Sequence, residues 1–510
     1  MLRYIYMYIF DMDSHAGGWY AVILSMTTLT VMADICSTIE QTGIPVEYPF
    51  SMGYWYDLAN YWSAACSDLK PKCIAAPSNA AEVSRIILEL HHFTTPFAIK
   101  SGGHMPNNGF ASIQDGLLIS TRKLSQVNYN SNTQTAVVGP GISWEDAQKG
   151  LIGMGRTLVG GRIGEVGVGG YTLGGGMSFL STQYGWAANN VVNYEIVMAN
   201  GTISNANAQE NVNLFASLKG GGNNFGVVTA FEITTHEDHK VWGGNCFFTS
   251  DKAPQLLKAL RNFVDDYPDD KAAIILTAEH SLLMNLWIMF LFYDGPQPPV
   301  RVFDEFTAIE HTSTTKTWDK LYDLLKNNDA FVMHGQRYTI ATETSPTEKT
   351  SVPNATGSTV LQQYYDYWFN ITSSVLEIPN AIGSIAFQPV PMTSPQKSQD
   401  RGGDLLNFPT DTNCIILEMD FSYSSSSYDE RIDQANQELY RGLDNLIRKN
   451  IDEGLLPDVY RPLFMNDFYF RQDYWSRIDP ESKQLALQTR LDVDPQGFFQ
   501  RRMSGGWRLE

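Results

Sequence analysis

The strongest constraint on this chain is a glycine tract from Gly160 to Gly176, which closes on Val168-Gly169-Gly170-Tyr171-Thr172-Leu173-Gly174-Gly175-Gly176. Residues without a Cβ weaken any regular element there and let the main chain lie against another main chain or a ligand. Some sixty residues earlier stands a second glycine site, Lys100-Ser101-Gly102-Gly103-His104-Met105-Pro106-Asn107-Asn108-Gly109. A histidine beside two glycines allows main-chain N–H groups to approach phosphate oxygens while the imidazole reaches a fixed point on the same ligand. A lone Gly-Gly-His is also an ordinary turn, so the inference rests on the two tracts together.

A dinucleotide fingerprint competes for Gly167-x-Gly169-Gly170. It needs a strand running into the first glycine, a helix after it, and an acidic residue about twenty positions on. The residues after Gly170 are expected to be too glycine-rich to open a helix. Loop amides from Ser101 to His104 and from the tract, arranged as a nest, would then hold a pyrophosphate without a basic pocket.

At 510 residues the chain is longer than one core usually grows, so two domains sharing a cleft are expected. A formal charge of -19 and a pI near 4.9 argue against nucleic acid and anionic membrane as partners, because both select clustered Lys and Arg. An apolar stretch from Trp19 to Ala33 is short for a membrane span, so no stable insertion is expected. It ends in Val31-Met32-Ala33 like a signal peptide, yet Asp11 and Asp13 precede it where a signal would be basic. Residues 1–33 are therefore read either as a signal for secretion or as a mis-assigned start. The five cysteines show no zinc spacing, and no metal site is expected. Triplets at Asn200, Asn354 and Asn370 are compatible with glycosylation, although Asn200-Gly201 is equally a hairpin turn.

Along the chain, Ser78 or Asn79 can cap a helix whose Val83, Ile86, Ile87 and Leu90 share one face. Phe97-Ala98-Ile99 then reads as a strand delivering the Ser-Gly-Gly-His loop, and Gly116–Ser120 as a second strand. Gln134–Val138 reads as a strand ahead of a helix capped near Ser143, and Val191–Ala199 with Thr202-Ile203 as a hairpin. From about 241, apolar runs such as Ile274–Thr277, Ile288–Tyr293 and Ile415–Phe421 alternate with helical pieces. That pattern predicts an antiparallel sheet with helices on one face.

The ordered motifs Cys73-Ile74-Ala75-Ala76-Pro77, Ser101–His104, Val138-Gly139-Pro140-Gly141, the glycine tract, Leu218-Lys219-Gly220-Gly221-Gly222-Asn223-Asn224-Phe225-Gly226 and Asp494-Pro495-Gln496-Gly497-Phe498-Phe499 resemble the berberine-bridge-enzyme-like group of FAD-linked oxidoreductases, of fungal type. The group lies in the vanillyl-alcohol-oxidase family. The resemblance implies an α+β fold with a two-part PCMH-type FAD-binding domain at 34–240, its core at about 70–240. A substrate domain at 241–454 and a C-terminal segment, 455–510, that returns to the FAD domain would follow. It implies FAD joined through its 8α-methyl to His104. The contacts implied for the cofactor come from Lys100, Ser101, Gly102, Gly103, Met105, Asn108, Gly139, Gly164, Val166, Gly167, Gly169, Gly170, Gly174, Gly175 and Asn466. It also implies a disulfide between Cys36 and Cys73. Relatives with a second, cysteinyl link carry it three residues before Val166, where this chain has Ile163, so one link is expected. A compact residue at the Val166 position goes with reactivity towards O2.

The implied chemistry is hydride transfer from a small-molecule substrate to the flavin, with O2 reduced to hydrogen peroxide and a base removing an acidic proton. Strand alternation puts Glu418 and Asp420 on one face with Ser422, facing either the flavin or solvent. Tyr469, His334 with Tyr338, and Gln388 are further candidates. An oxidase of a secondary-metabolite-like aromatic, alkaloid or polyketide substrate is the leading reading. An oligosaccharide oxidase competes, disfavoured by Ile163 and by Pro106, where some carbohydrate-oxidising relatives place a tyrosine. A flavin-loaded binding protein without turnover is the third reading.

Overall fold

The computed structural model describes residues 34–349 and 359–509. The expected signal segment and the Asn354 triplet lie outside them. Three sheets organise the chain. The first runs Val46–Glu47, Cys73–Ala75, Leu117–Ser120, Phe97–Lys100, with the last three strands parallel. The Ala80–Leu90 helix packs its Val83, Ile86, Ile87 and Leu90 stripe against this sheet. Asn79 caps that helix by accepting the Glu82 N–H at 3.0 Å. The Cys36–Cys73 disulfide ties the Ile35–Gln41 helix to the same layer. Cys66, Cys246 and Cys414 are free and buried.

The second sheet is antiparallel, in the order Val127–Asn130, Thr135–Val138, Val227–Thr234, Val191–Val197, Ile203–Asn207. Its hairpin turns at Asn200-Gly201, where Gly201 has φ +78°, a conformation that favours glycine. The glycine tracts lie on the connections between the strands of these two sheets.

The third sheet is the largest. Its antiparallel order is Thr312–Ser313, Val241–Thr249, Asn285–Tyr293, Ala272–Ser281, Ile382–Val390, Cys414–Tyr423, Arg337–Pro346. Helices Ala253–Asp265, Thr359–Ser373 and Asp429–Asp452 cover one face. Leu276, Ala278, Met289, Ile385, Leu417, Met419 and Phe421 point into that core. The alternate residues point the other way, towards the glycine tracts, because side chains in a strand change face at every step.

From the C-terminal segment, Leu463, Phe464, Met465, Phe468, Tyr474, Trp475 and Leu509 join the core of the second sheet. Val390, Leu405, Leu406 and Phe408 join it too, so residues about 390–414, expected in the substrate domain, also pack on that side.

One expectation is corrected. Val168–Leu173 is a helix despite its glycines. It lasts six residues, Val168 and Thr172 are buried one turn apart, and Thr172 Oγ1 donates to Val168 O at 2.7 Å. The dinucleotide fingerprint still fails. Gly167 follows no strand and makes only an isolated bridge to Ser143.

Candidate active site

The two glycine sites meet backbone to backbone. A Cβ on Gly102 would lie 2.5 Å from Gly167 Cα, and one on Gly167 2.4 Å from Gly102 N, so neither position admits a side chain without movement. Ser101 locks the crossing: its hydroxyl donates to Pro140 O at 2.5 Å and accepts from Gly169 N at 3.2 Å. Asn466 fastens the far end. Its amide donates to Tyr171 O and accepts from Gly176 N, both at 3.1 Å.

Beside this crossing lies a cavity of about 480 Å³. One wall holds Ser101, Gly102, Gly103, His104 and Met105, then Ile163, Val166, Gly167, Gly169, Gly170, Gly174 and Asn466. The opposite wall is the open face of the large sheet, with Ile275, Thr277, Glu279, Ile288, Phe290, Tyr338, Ile340, Glu418, Asp420 and Ser422. Strand alternation thus turns Glu418 and Asp420 to the cavity.

His104 stacks on Trp62, with ring centroids 4.8 Å apart and planes 12° apart, and Trp62 stacks on Tyr338 at 4.1 Å. Its Nε2 meets Glu165 Oε1 at 3.3 Å. The other Glu165 oxygen meets His334 Nε2 at 3.1 Å, and Asp329 accepts the Glu165 N–H at 3.0 Å. Burial raises the Glu165 carboxyl, but hydrogen bonds and charge from His104, then His334, outweigh it and hold it below the usual range.

Across the cavity the acids are arranged differently. Gln388 donates through Nε2 to Glu418 Oε2 and to Asp467 Oδ2, each at 2.9 Å, and accepts from Arg162. Burial, then Asp467, pushes both Glu418 and Asp420 well above the carboxylate range; Asp420 further raises Glu418, and Glu279 further raises Asp420. Asp420 Oδ1 has no hydrogen-bond partner among the described residues, which favours its neutral form. Asp467 is raised to about 6 and Glu279 to about 7, in both cases by burial. At neutral pH this cluster keeps protons that isolated carboxylates would have lost.

Several expected residues lie elsewhere. Tyr469 packs in the helix-covered core, its hydroxyl donating to Asp433 at 2.6 Å, and it does not reach the cavity. Lys100 turns its ammonium under the loop, 3.9 Å from Asp57 and 4.7 Å from the centre of the Tyr61 ring. Asn108 accepts from the Cys66 thiol. Gly139, Gly164 and Gly175 face protein: a Cβ there would meet Leu124 O, Asp329 Oδ2 and Leu406 Cδ1. His334 is largely exposed, and Gln388 acts through Glu418.

Sequence reasoning missed Glu279, Asp467, Arg162 and Glu165. Glu279 follows the same alternation that singled out Glu418, and Asp467 stands next to Asn466. The pairing of Glu165 with His104 spans sixty-one positions and leaves no local signal.

The glycine wall suits FAD. The N–H groups of Gly102, Gly103 and His104 have no acceptor among the described residues, and a Cβ on Gly170 would project into open space. That is a main-chain cradle able to receive phosphate and ring oxygens without a basic side chain. Among the described residues no helix is long and apolar enough to cross a membrane.

Residues 71–207 match the FAD binding domain family. The chain is 45% identical to an uncharacterised FAD-linked oxidoreductase of Arthroderma benhamiae over 478 residues, 93% of this chain and 94% of that one. Berberine bridge enzyme from Eschscholzia californica superposes with a TM-score of 0.73 at 17% identity, covering 94% of this chain and 100% of that chain. Glucooligosaccharide oxidase from Acremonium strictum, described with a 6-S-cysteinyl, 8α-N1-histidyl FAD, reaches 0.73 at 18% identity over 91% and 97%. With this coverage and these motifs, the chain belongs to the FAD-linked oxidoreductases and carries the fold seen in berberine bridge enzyme.

Proposed function

We propose that this FAD-dependent oxidoreductase is an oxidase of small, largely apolar secondary-metabolite-like molecules, with its cofactor tethered to His104. The observation that carries the proposal is the facing of the Glu418–Asp420 pair and the His104 loop across one cavity. Bound FAD supplies the two-electron acceptor, from which dioxygen takes the electrons as hydrogen peroxide.

The chain's own residues orient the substrate and handle its proton. Phe290, Tyr338, Ile275, Ile288 and Ile340 offer a flat, apolar bed for an aromatic or alicyclic body. Glu418 and Asp420, both raised well above the carboxylate range by burial and then Asp467, face the cavity together, and whichever is ionised takes the acidic O–H or N–H proton of the substrate. Gln388 fixes the Glu418 carboxylate, and Arg162, bonded to Gln388, limits how far the cluster resists ionisation. Ile163 fills the place of a second tether. Val166 presents a small side chain to the cavity, in keeping with access for dioxygen.

The Cys36–Cys73 disulfide supports passage through an oxidising compartment. Exposed Asn200 and Asn370 are then candidate glycan acceptors, and a mass decrease on glycosidase treatment of the native-source protein tests them.

Peroxide release from a panel of phenolic, amine and alcohol metabolites tests the activity, with oligosaccharides as the contrasting set. Turnover of oligosaccharides alone would overturn the substrate class. Failure of every substrate to bleach the flavin without air would instead support a binding protein. The tether is read separately: after acid precipitation, yellow colour should stay with the polypeptide and be released in His104→Ala.

A further inference from the structure

Glu165 touches no part of the acid cluster that handles substrate, yet it is built into the site from three directions. Its two carboxylate oxygens are taken by His104 at 3.3 Å and His334 at 3.1 Å, and its main-chain N–H is held by Asp329 at 3.0 Å. His104 cannot swing away, because its ring lies flat on Trp62, which is itself held against Tyr338. The sequence places Glu165 inside the glycine tract, between Gly164 and Val166, and only the fold brings it beneath the loop histidine.

A neutral imidazole has one N–H and one lone pair, and the group bonded to one nitrogen decides which is which. An ionised carboxylate accepts only, so Glu165 fixes the hydrogen on Nε2 and leaves the lone pair on Nδ1. We infer that Glu165 is the residue that prepares His104 for attachment to FAD, by fixing its nucleophilic tautomer and receiving its proton as the bond forms. Attachment breaks one C–H bond of the flavin 8α-methyl and forms a C–N bond to Nδ1. One proton leaves the methyl carbon and one leaves Nε2 to Glu165. The two electrons released pass to dioxygen, which with two protons becomes hydrogen peroxide. His334 comes from the large-sheet domain, so the carboxylate is fully oriented only when that domain is docked on the glycine wall.

The inference rests on the tether proposed above, and one experiment separates the two. Wild type, Glu165→Gln and Glu165→Asp are purified, incubated with FAD in air, and sampled over time. Acid precipitation and flavin fluorescence on a denaturing gel give the covalent fraction, and total flavin per polypeptide gives occupancy. A colourless wild-type pellet would end the tether reading itself. Given a covalent wild type, Glu165→Gln should hold FAD at similar occupancy but attach it on the order of tenfold more slowly, since the charge of the hydrogen bond is gone. Glu165→Asp keeps the charge and should recover most of the rate. Attachment at the wild-type rate in Glu165→Gln overturns the inference. Equal slowing in Gln and Asp overturns it too, because packing rather than the carboxylate would then be the cause. If Glu165→Gln binds no FAD, the Asp variant decides: wild-type-like attachment supports the role, and slow attachment at full occupancy refutes it.

Discussion

Glu418 and Asp420 sit two residues apart on one strand, close enough that neither ionises independently, and burial withholds the water that would otherwise pay for a charge. Replacing either by its amide, Glu418→Gln or Asp420→Asn, should lower kcat/KM by about 10²–10⁴ while flavin occupancy stays unchanged. Because the base must be ionised and burial with neighbouring acids raises its carboxyl, kcat/KM should climb with pH, with an inflection well above the ordinary carboxylate range. A profile already flat from pH ~5 upward would contradict this, since ordinary carboxylates titrate near 4. At the crossing of the glycine sites, Gly102→Ala forces a methyl against Gly167 Cα. Purified protein should then carry much less flavin and be less stable by roughly 1–3 kcal/mol.

Among the elements, those whose signal is local were legible in the sequence. The Ala80–Leu90 helix advertises itself by its cap and its apolar stripe, and the Cys414–Tyr423 strand by apolar–polar alternation from Leu417 onward. The Val168–Leu173 helix was not legible, since intrinsic preference opposes it and tertiary burial of Val168 and Thr172 decides. Tyr469 misled for a similar reason: its neighbour Asn466 reaches the cavity, but the chain turns and sends the tyrosine to Asp433. Near the C-terminus, Asp494 accepts the N–H groups of Phe498 and Phe499 at 2.7 and 2.9 Å and starts the Phe498–Arg502 helix. That helix buries both rings in the core of the first sheet. Asp494→Ala should cost about 1–2 kcal/mol, visible as a lower denaturant midpoint with an unchanged slope.

For the whole molecule, the raised acids make stability depend on pH with a definite sign. Glu279, raised to about 7, keeps its proton in the folded state where the unfolded chain has released it. That contribution is present below the ordinary carboxylate value and is lost as pH rises through the folded value. His236, lowered to about 4 by burial, has the opposite sign, but only below the ordinary histidine value of about 6.5. Between pH ~6.5 and the value of about 7 to which Glu279 is raised, stability should therefore fall as pH rises, by up to about 1.4 kcal/mol per pH unit for each proton retained, and Tm should fall with it. Glu279→Gln should flatten the slope in thermal scans. The FAD-binding character of residues 71–207 could be read from the motifs. Stitching by residues about 390–414 could not, because it depends on Leu405, Leu406 and Phe408 finding a core built by distant strands.

The two-sided sheet carries one more implication, about descent. In the Ala272–Ser281 strand, Ile274, Leu276 and Ala278 serve the helices, whereas Ile275, Thr277 and Glu279 face the cavity. A lineage can therefore rewrite every second letter of such strands and acquire a new diet without disturbing the scaffold that keeps it folded.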